Sequence, residues 1–238
     1  MSDKRIIVII PARGGSKRFP GKNVHPLLGE PLISHVIKPA LASEKVDRVI
    51  VSTDDDEIAN VAKSYGAEVP FFRPDDLSGD NSPVIEALAY TVKRLDGEGS
   101  YHADHIMLLQ PTTPLITREQ IDGAIDLVLS KNADSVVSVV PVDTPAHPYN
   151  VRQVDQDGRM KFWQEELHYK DLGKKKPAFY KAANIWLTSY NTLLDEHKIE
   201  GANNYALVVD TVSALDIDYK EDLELVEAWL QYQKNKKT

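Results

Sequence analysis

Through the first 140 residues, apolar runs of four to seven residues alternate with helix-length amphipathic segments. That rhythm is the mark of βα units laid on a largely parallel sheet, so the fold class is α/β. The runs predict strands at Arg5–Ile10, Val46–Ser52, Glu68–Phe71, His105–Gln110 and Ser135–Val140. Between them the 3.6-residue period predicts helices near Pro31–Ala42, Asp54–Tyr65, Pro83–Leu95 and Thr117–Ser130. Thr53-Asp54-Asp55-Asp56-Glu57 reads as a helix start, with Thr53 or Asp54 as N-cap and acids in the first turn, where the helix dipole favours them.

Around Pro141 the rhythm breaks into a stretch rich in proline, histidine and charge that runs to Phe179. Within it Tyr149–Val154 and Arg159–Trp163 flank Asp157-Gly158, a pair that supplies the positive φ of a tight hairpin turn. An excursion of this size on an α/β core is a flap or an interface, and Tyr149, Phe162, Trp163 and Tyr169 favour the interface. The core pattern resumes with strands at Ala183–Thr188 and Ala206–Asp210 and a last helix from Tyr219 to about Lys234. The expected organisation is a single domain over residues 1–238 with an excursion at about 141–180.

The length of 238 residues permits one such domain with a sizeable core. The net charge of −8 with dispersed acids argues against a nucleic-acid-coating protein. With no cysteine, disulfides, thiolate nucleophiles and cysteine-based metal centres are excluded. The opening Met1-Ser2-Asp3-Lys4-Arg5 and its six-residue apolar strand are too short for a signal peptide or a membrane span, so a cytoplasmic enzyme is expected.

Cations concentrate instead in Arg13-Gly14-Gly15-Ser16-Lys17-Arg18-Phe19-Pro20-Gly21-Lys22-Asn23, directly after the first strand. Glycine amides there can converge on phosphate oxygens as an anion nest, while Arg13, Lys17, Arg18 and Lys22 supply mobile positive charge for a triphosphate. Neither the Walker spacing nor the G-x-G-x-x-G order is present, so the P-loop kinase and dinucleotide readings fall away. Near the other end, Asp216-Ile217-Asp218 places two carboxylates at i and i+2 of an extended segment, on one face, where they can grip a hard cation such as Mg²⁺. The alternative is that Asp218 caps the last helix. Gln110, at the carboxyl end of the fourth strand, and the hydroxyls of Thr112 and Thr113 suit a polyhydroxylated sugar. The polar loop Phe72 to Ser82 leads into a helix whose N-terminus faces a phosphate or base.

These segments, with Gly29-Glu30-Pro31-Leu32, Ser52-Thr53-Asp54, Arg73-Pro74-x-x-Leu77 and Gln110-Pro111-Thr112-Thr113-Pro114-Leu115, stand in the order seen in acylneuraminate cytidylyltransferases, which the chain resembles over nearly its whole length. The resemblance implies a three-layer nucleotidyltransferase fold, similar to GT-A glycosyltransferases, with a mostly parallel mixed sheet. It also implies a homodimer built through the excursion, with CTP and an acidic 2-keto-3-deoxy sugar as substrates, Mg²⁺ as cofactor, and no nucleic acid or membrane partner. Carried over residue by residue, it gives Arg13, Ser16, Lys17 and Lys22 to the triphosphate, Asn23, Arg73 and Ser82 to the cytidine, and Gln110 to the sugar. Asp216 and Asp218 fall to the metal, with Arg13, Lys17, Lys22 and Asp218 as the catalytic set. A lysine of the 170–181 stretch, Lys181 foremost, would pair with the sugar carboxylate.

Three departures from the family pattern fall on the sugar side. Ile116 stands where arginine is common, Ala182-Ala183-Asn184-Ile185-Trp186 replaces Asn-Gly-Ala-Ile-Tyr, and the upstream arginine has no counterpart among Lys170, Lys174, Lys175 and Lys176. The implied reaction is attack by the anomeric 2-hydroxyl of a sialic-acid-like nonulosonic acid on the α-phosphate of CTP. The competing readings are a cytidylyltransferase for Kdo or 8-amino-Kdo, and a non-catalytic nucleotide-binding scaffold.

Overall fold

The computed structural model describes residues 4–97, 99, 101–170 and 177–236. In chain order the elements are β1 (Ile6–Pro11), a 3-10 turn (Lys22–Val24), β2 (Pro26–Leu27), β3 (Glu30–Pro31), α1 (Ser34–Ala42), β4 (Arg48–Ser52), α2 (Asp56–Ser64) and a second 3-10 turn (Asp75–Leu77). They continue with α3 (Val84–Gly97), β5 (His105–Leu109), α4 (Arg118–Lys131), β6 (Ser135–Pro141), β7 (Arg152–Val154), β8 (Met160–Phe162), α5 (Glu165–Lys170), β9 (Tyr180–Ser189), α6 (Tyr190–Leu194), β10 (Asn204–Val208) and α7 (Lys220–Lys236).

Six of these strands make one sheet in the order β10-β6-β9-β5-β1-β4, parallel throughout except for β9, which runs against both β5 and β6. The expected mostly parallel mixed sheet is what forms. Strand β1 shows why the sheet is covered on both sides. Alternation along a strand sends Ile6, Val8 and Ile10 into the apolar cluster beneath α1, α2 and α4, and Ile7 and Ile9 into the cluster beneath α3 and α6. A third, smaller cluster joins Leu27 and Leu32 to Ile217, Leu223 and Val226 and so brings α7 back to the start of the chain.

The chain leaves β1 for β4 on one side, then returns to β5 on the other, so the carboxyl ends of β1 and β5 part at a topological switch point. In open α/β sheets that crevice is where ligands bind.

The structure corrects several expected bounds. The strand expected at Glu68–Phe71 shrinks to a single bridge between Glu68 and Ile50. Pro70 has no N–H to continue a ladder, and the chain turns off toward Arg73. The helix expected from Pro31 begins at Ser34 because Pro31 pairs with Pro26 in a two-residue hairpin. Leu28 and Gly29 supply its positive φ values of 51° and 86°. The N-cap of α2 is neither Thr53 nor Asp54 but Asp55, whose carboxylate accepts from Ile58 N–H at 2.9 Å. The excursion does contain the expected hairpin, β7 against β8, turning through Gly158 at φ 81°. The strand expected at Ala183–Thr188 extends to ten residues, and its pairing with β6 is broken by a bulge between Val137 and Val139. Among the described residues no helix is long and apolar enough to cross a membrane.

Candidate active site

At the switch point lies a cavity of about 380 Å³, walled by Arg13, Ser16, Lys22 and Asn23 after β1, Arg73 to Ser82 after β4, Gln110 to Thr112 after β5, and Asp216 with Asp218 before α7. A second cavity of about 380 Å³ adjoins it, sharing Arg13, Ser16, Lys22, Asp80 and Asp218 and adding Lys17 and Arg18. Both volumes lie in the range of small-molecule pockets. Ten of the eleven residues expected at the site therefore meet in one place; Lys181 does not.

The loop after β1 is held by its neighbours, and this changes how it can receive an anion. Gly14 N–H donates to Asp54 Oδ1 at 3.1 Å, and Ser16 N–H to the Gly14 carbonyl at 3.0 Å. Two amides of the expected nest are thus turned inward, and the loop meets the cavity through side chains. Gly14 is required here because a Cβ on it would sit 2.5 Å from Asp55 Oδ2 and 3.0 Å from Asp55 Cβ. Asn23, buried behind the loop, donates from Nδ2 to the Arg13 carbonyl at 3.1 Å, so part of its amide anchors the loop.

The four cations of the loop are shared between two aspartates. Lys22 reaches the carbonyl of Ile217 at 2.6 Å and Asp218 Oδ1 at 3.2 Å, and Arg18 Nη1 takes Asp218 Oδ2 at 2.8 Å. Arg13 Nη1 lies 3.0 Å from Asp80 Oδ1, and Lys17 holds the other oxygen of the same carboxylate. Lys17 and the Arg13 guanidinium hold Asp80 below the usual carboxylate range. Lys22 is buried, while the other three cations keep partial or full exposure.

Asp216 and Asp218 flank the fully buried Ile217, whose N–H donates to the Thr112 carbonyl at 2.9 Å, so both aspartates open on the same cavity. Asp218 does not cap α7. The carboxylate of Asp222 accepts from Asp218 N–H at 2.9 Å and from Tyr219 N–H at 2.7 Å, so the Asp218 side chain is turned to the site, where Lys22 and Arg18 hold it. Asp216 lines the cavity. Burial pushes its carboxyl up, and Asp218 adds to this, against a hydrogen bond from Thr112 that pulls it down. Two oxygen-only donors, one of them electrostatically uncomfortable, form a set that fits a hard cation.

Arg73 is buried at the entry to the polar loop. Its N–H donates to the Thr53 carbonyl at 2.8 Å, its Nε to Ser78 Oγ at 3.1 Å, and Nη2 stands 3.7 Å from Asp54 Oδ1. Burial pulls this guanidinium below its ordinary value, with Asp54 opposing. Ser82, donating to the Asp76 carbonyl at 3.0 Å, fixes the far end of the loop.

On the sugar side the structure redistributes the expected roles. Gln110 lines the cavity, but Ile116 is buried in the core and Asn184 is fully buried. Asn184 Oδ1 accepts from Ser138 Oγ at 2.9 Å and its Nδ2 donates to the Ser213 carbonyl at 2.8 Å. Lys181 is exposed on β9, paired with Val140 near the carboxyl end of β6 and outside the cavity wall. Lys174, Lys175 and Lys176 lie outside the described residues. Sequence reasoning missed Asp80 and Asp222, and gave Asp54 and Asn184 other roles than the contacts with Gly14 and Ser213 that they make. The signals for Asp80 and Asp222 were faint, since each reads as one more acid in a loop or a first helical turn.

A family model described as cytidylyltransferase matches residues 7–236. A CMP-N,N'-diacetyllegionaminic acid synthase of Legionella pneumophila is 34% identical over 95% of this chain and 97% of its own. A pseudaminic acid cytidylyltransferase of Campylobacter jejuni is 31% identical over 93% of this chain and 94% of its own. Among solved structures, a CMP:2-keto-3-deoxy-manno-octonic acid synthetase complexed with CTP superposes with a TM-score of 0.72 at 17% identity, over 97% of this chain and 100% of that one. This last likeness concerns the fold.

Proposed function

This chain belongs to the cytidylyltransferase family, and on that premise we propose that it activates a sialic-acid-like nonulosonic acid with CTP, releasing pyrophosphate. The observation that carries the reading is the contact of Lys22 with Asp218 at 3.2 Å. It joins the cation loop to the acid pair across almost the whole chain, in a cavity that Gln110 also enters. The relatives that act on legionaminic and pseudaminic acids support the acceptor class.

In this reading Arg13, Ser16, Lys17 and Lys22 bind the triphosphate, and Asn23, Arg73 and Ser82 stand on the cytidine side. The anomeric 2-hydroxyl of the sugar forms a new bond to the α-phosphorus, the bond to the β-phosphate bridge breaks, and the hydroxyl proton is released. Because a sugar carboxylate approaches a polyanionic nucleotide, the barrier is chiefly electrostatic, and fixed cations lower it by meeting charge where it develops. Lys22 is the best placed, being buried and held by the Ile217 carbonyl. Asp216 and Asp218 would hold Mg²⁺, which supplies further neutralisation of phosphate charge. Gln110, in the cavity wall, orients the sugar, while Lys181, outside that wall, has no part in this reading.

The excursion, with Val154, Met160, Trp163, Tyr169 and Tyr180 all exposed, pairs two copies into a homodimer. In this reading the protein works in the cytoplasm. The deciding assay measures pyrophosphate from CTP, Mg²⁺ and a panel of nonulosonic acids, Kdo and 8-amino-Kdo. Release with a nonulosonic acid is the expected result. Release only with the octulosonic acids transfers the chain to that substrate class, and no release with any acid leaves a nucleotide-binding scaffold.

A further inference from the structure

Asp80, like Asp218, sits on two cations of the triphosphate loop at once, but unlike Asp218 it has no part in the proposed chemistry. Its two oxygens take Arg13 Nη1, at 3.0 Å, and Lys17 Nζ. It lines both adjoining cavities and so stands between the nucleotide space and the cation loop. The carboxylate and the Arg13 side chain are each 36% exposed, so this pair is open to an incoming anion and not locked in the core. A carboxylate and a terminal phosphate present the same chemistry to guanidinium and ammonium groups, namely anionic oxygens accepting charge-assisted hydrogen bonds.

We propose that Asp80 is a built-in placeholder for the outer phosphates of the nucleotide. It holds Arg13 and Lys17 in place while the site is empty, is displaced when the triphosphate enters, and competes to return once pyrophosphate has lost its covalent tether.

The inference rests on the triphosphate reading of the loop. Its energetic logic is that of a tethered competitor. The carboxylate is present at the site at high effective concentration, so every ligand that needs both cations must bind against it. CTP tolerates the competition because base, ribose and α-phosphate add contacts elsewhere in the cavity. Free pyrophosphate has only the cations, so the competitor weakens it relative to what it would otherwise gain and favours its departure. Asp80 is also well placed to move. It lies in a loop pinned at one end by buried Arg73 and at the other by Ser82, with Gly79 beside it. The depressed carboxyl of Asp80 keeps it charged, and so competitive, through the neutral range.

The test is calorimetric, with CTP, inorganic pyrophosphate and CMP as probes, on the full-length chain and on Asp80→Asn and Asn81→Ala. Asp80→Asn removes the charge from an exposed loop position without changing its volume. It should bind CTP and pyrophosphate about three- to tenfold tighter, the range expected for releasing two exposed ion pairs. CMP, lacking the outer phosphates, should bind as before, Asn81→Ala should match the unaltered protein, and the gain should shrink at high salt. Unchanged CTP affinity in Asp80→Asn overturns the proposal and makes the pairs ordinary surface contacts. Weaker CTP binding overturns it in favour of Asp80 contacting nucleotide or cation, and equal tightening by Asn81→Ala overturns it in favour of general loop loosening. If the unaltered protein binds CTP no better than CMP, the triphosphate reading itself fails and takes this inference with it.

Discussion

Asp54 and Asp55 are adjacent, chemically identical, and do different work. Asp55 caps α2, and replacing it with alanine should cost about 1 kcal/mol in denaturant unfolding, the usual value of an N-cap. Asp54 accepts the Gly14 amide and faces buried Arg73, so its removal should act on nucleotide affinity more than on stability. Asp218→Asn should lower pyrophosphate release by orders of magnitude while leaving the unfolding midpoint nearly unchanged, because the backbone around it is held by Asp222 and Thr112. Near-normal turnover in that variant would remove Asp218 from the catalytic set. His105, buried at the start of β5, gives a pH signature. Burial pulls its pKa below the ordinary 6.5, so as pH falls the unfolded chain takes up this proton before the folded one does. Stability from this group is therefore full above about 6.5 and is lost as pH falls below it. Titrating the unfolding free energy from pH 8 to 5 should show a shallower acid decline in His105→Gln.

At the scale of elements, the site depends on how closely the β1 loop packs against α2. A methyl group at Gly14 would collide with the side chain of the residue that caps α2, so Gly14→Ala must displace either the loop or the cap. Weaker CTP binding is the expected result, read as a raised KM. The bulge in β6 is a second such device. There Ser138 Oγ accepts from Asn184 N–H at 2.9 Å and from Ile185 N–H at 2.8 Å. Asn184 in turn ties Ser213 to the sheet, just ahead of the acid pair. Asn184→Ala would leave the Ser213 carbonyl without its partner inside the fold, costing roughly 1–3 kcal/mol, measurable by urea unfolding. The departure from the family pattern at this position is therefore an internal brace. A reading of the motif alone, in which such a position faces the sugar, could not show this, since the side chain's direction is set by the bulge.

Over the whole molecule, the sheet order brings residues 13 to 22 against residues 216 to 218 at one crevice, and leaves the excursion, with its exposed aromatic and apolar side chains, beyond Pro141. If that excursion pairs two copies, Trp163→Glu should yield a monomer in sedimentation, and an unchanged dimer would place the interface elsewhere.

Much of this was legible in the chain itself. Strand β1, the cation loop, the helix starting near Thr117, the hairpin at Gly158 and the Asp216-Ile217-Asp218 signal are local, each set by the chemistry and period of a few consecutive residues. Tertiary structure alone decided which acid meets which cation, that Asp55 caps while Asp54 braces Gly14, that Ile116 and Asn184 turn inward, and that Asp80 occupies Arg13 and Lys17. Apart from the Asp55 cap, which is local, those pairings join residues tens to hundreds of positions apart. They follow from strand order, and from the need to satisfy every buried polar group once the strands are in place.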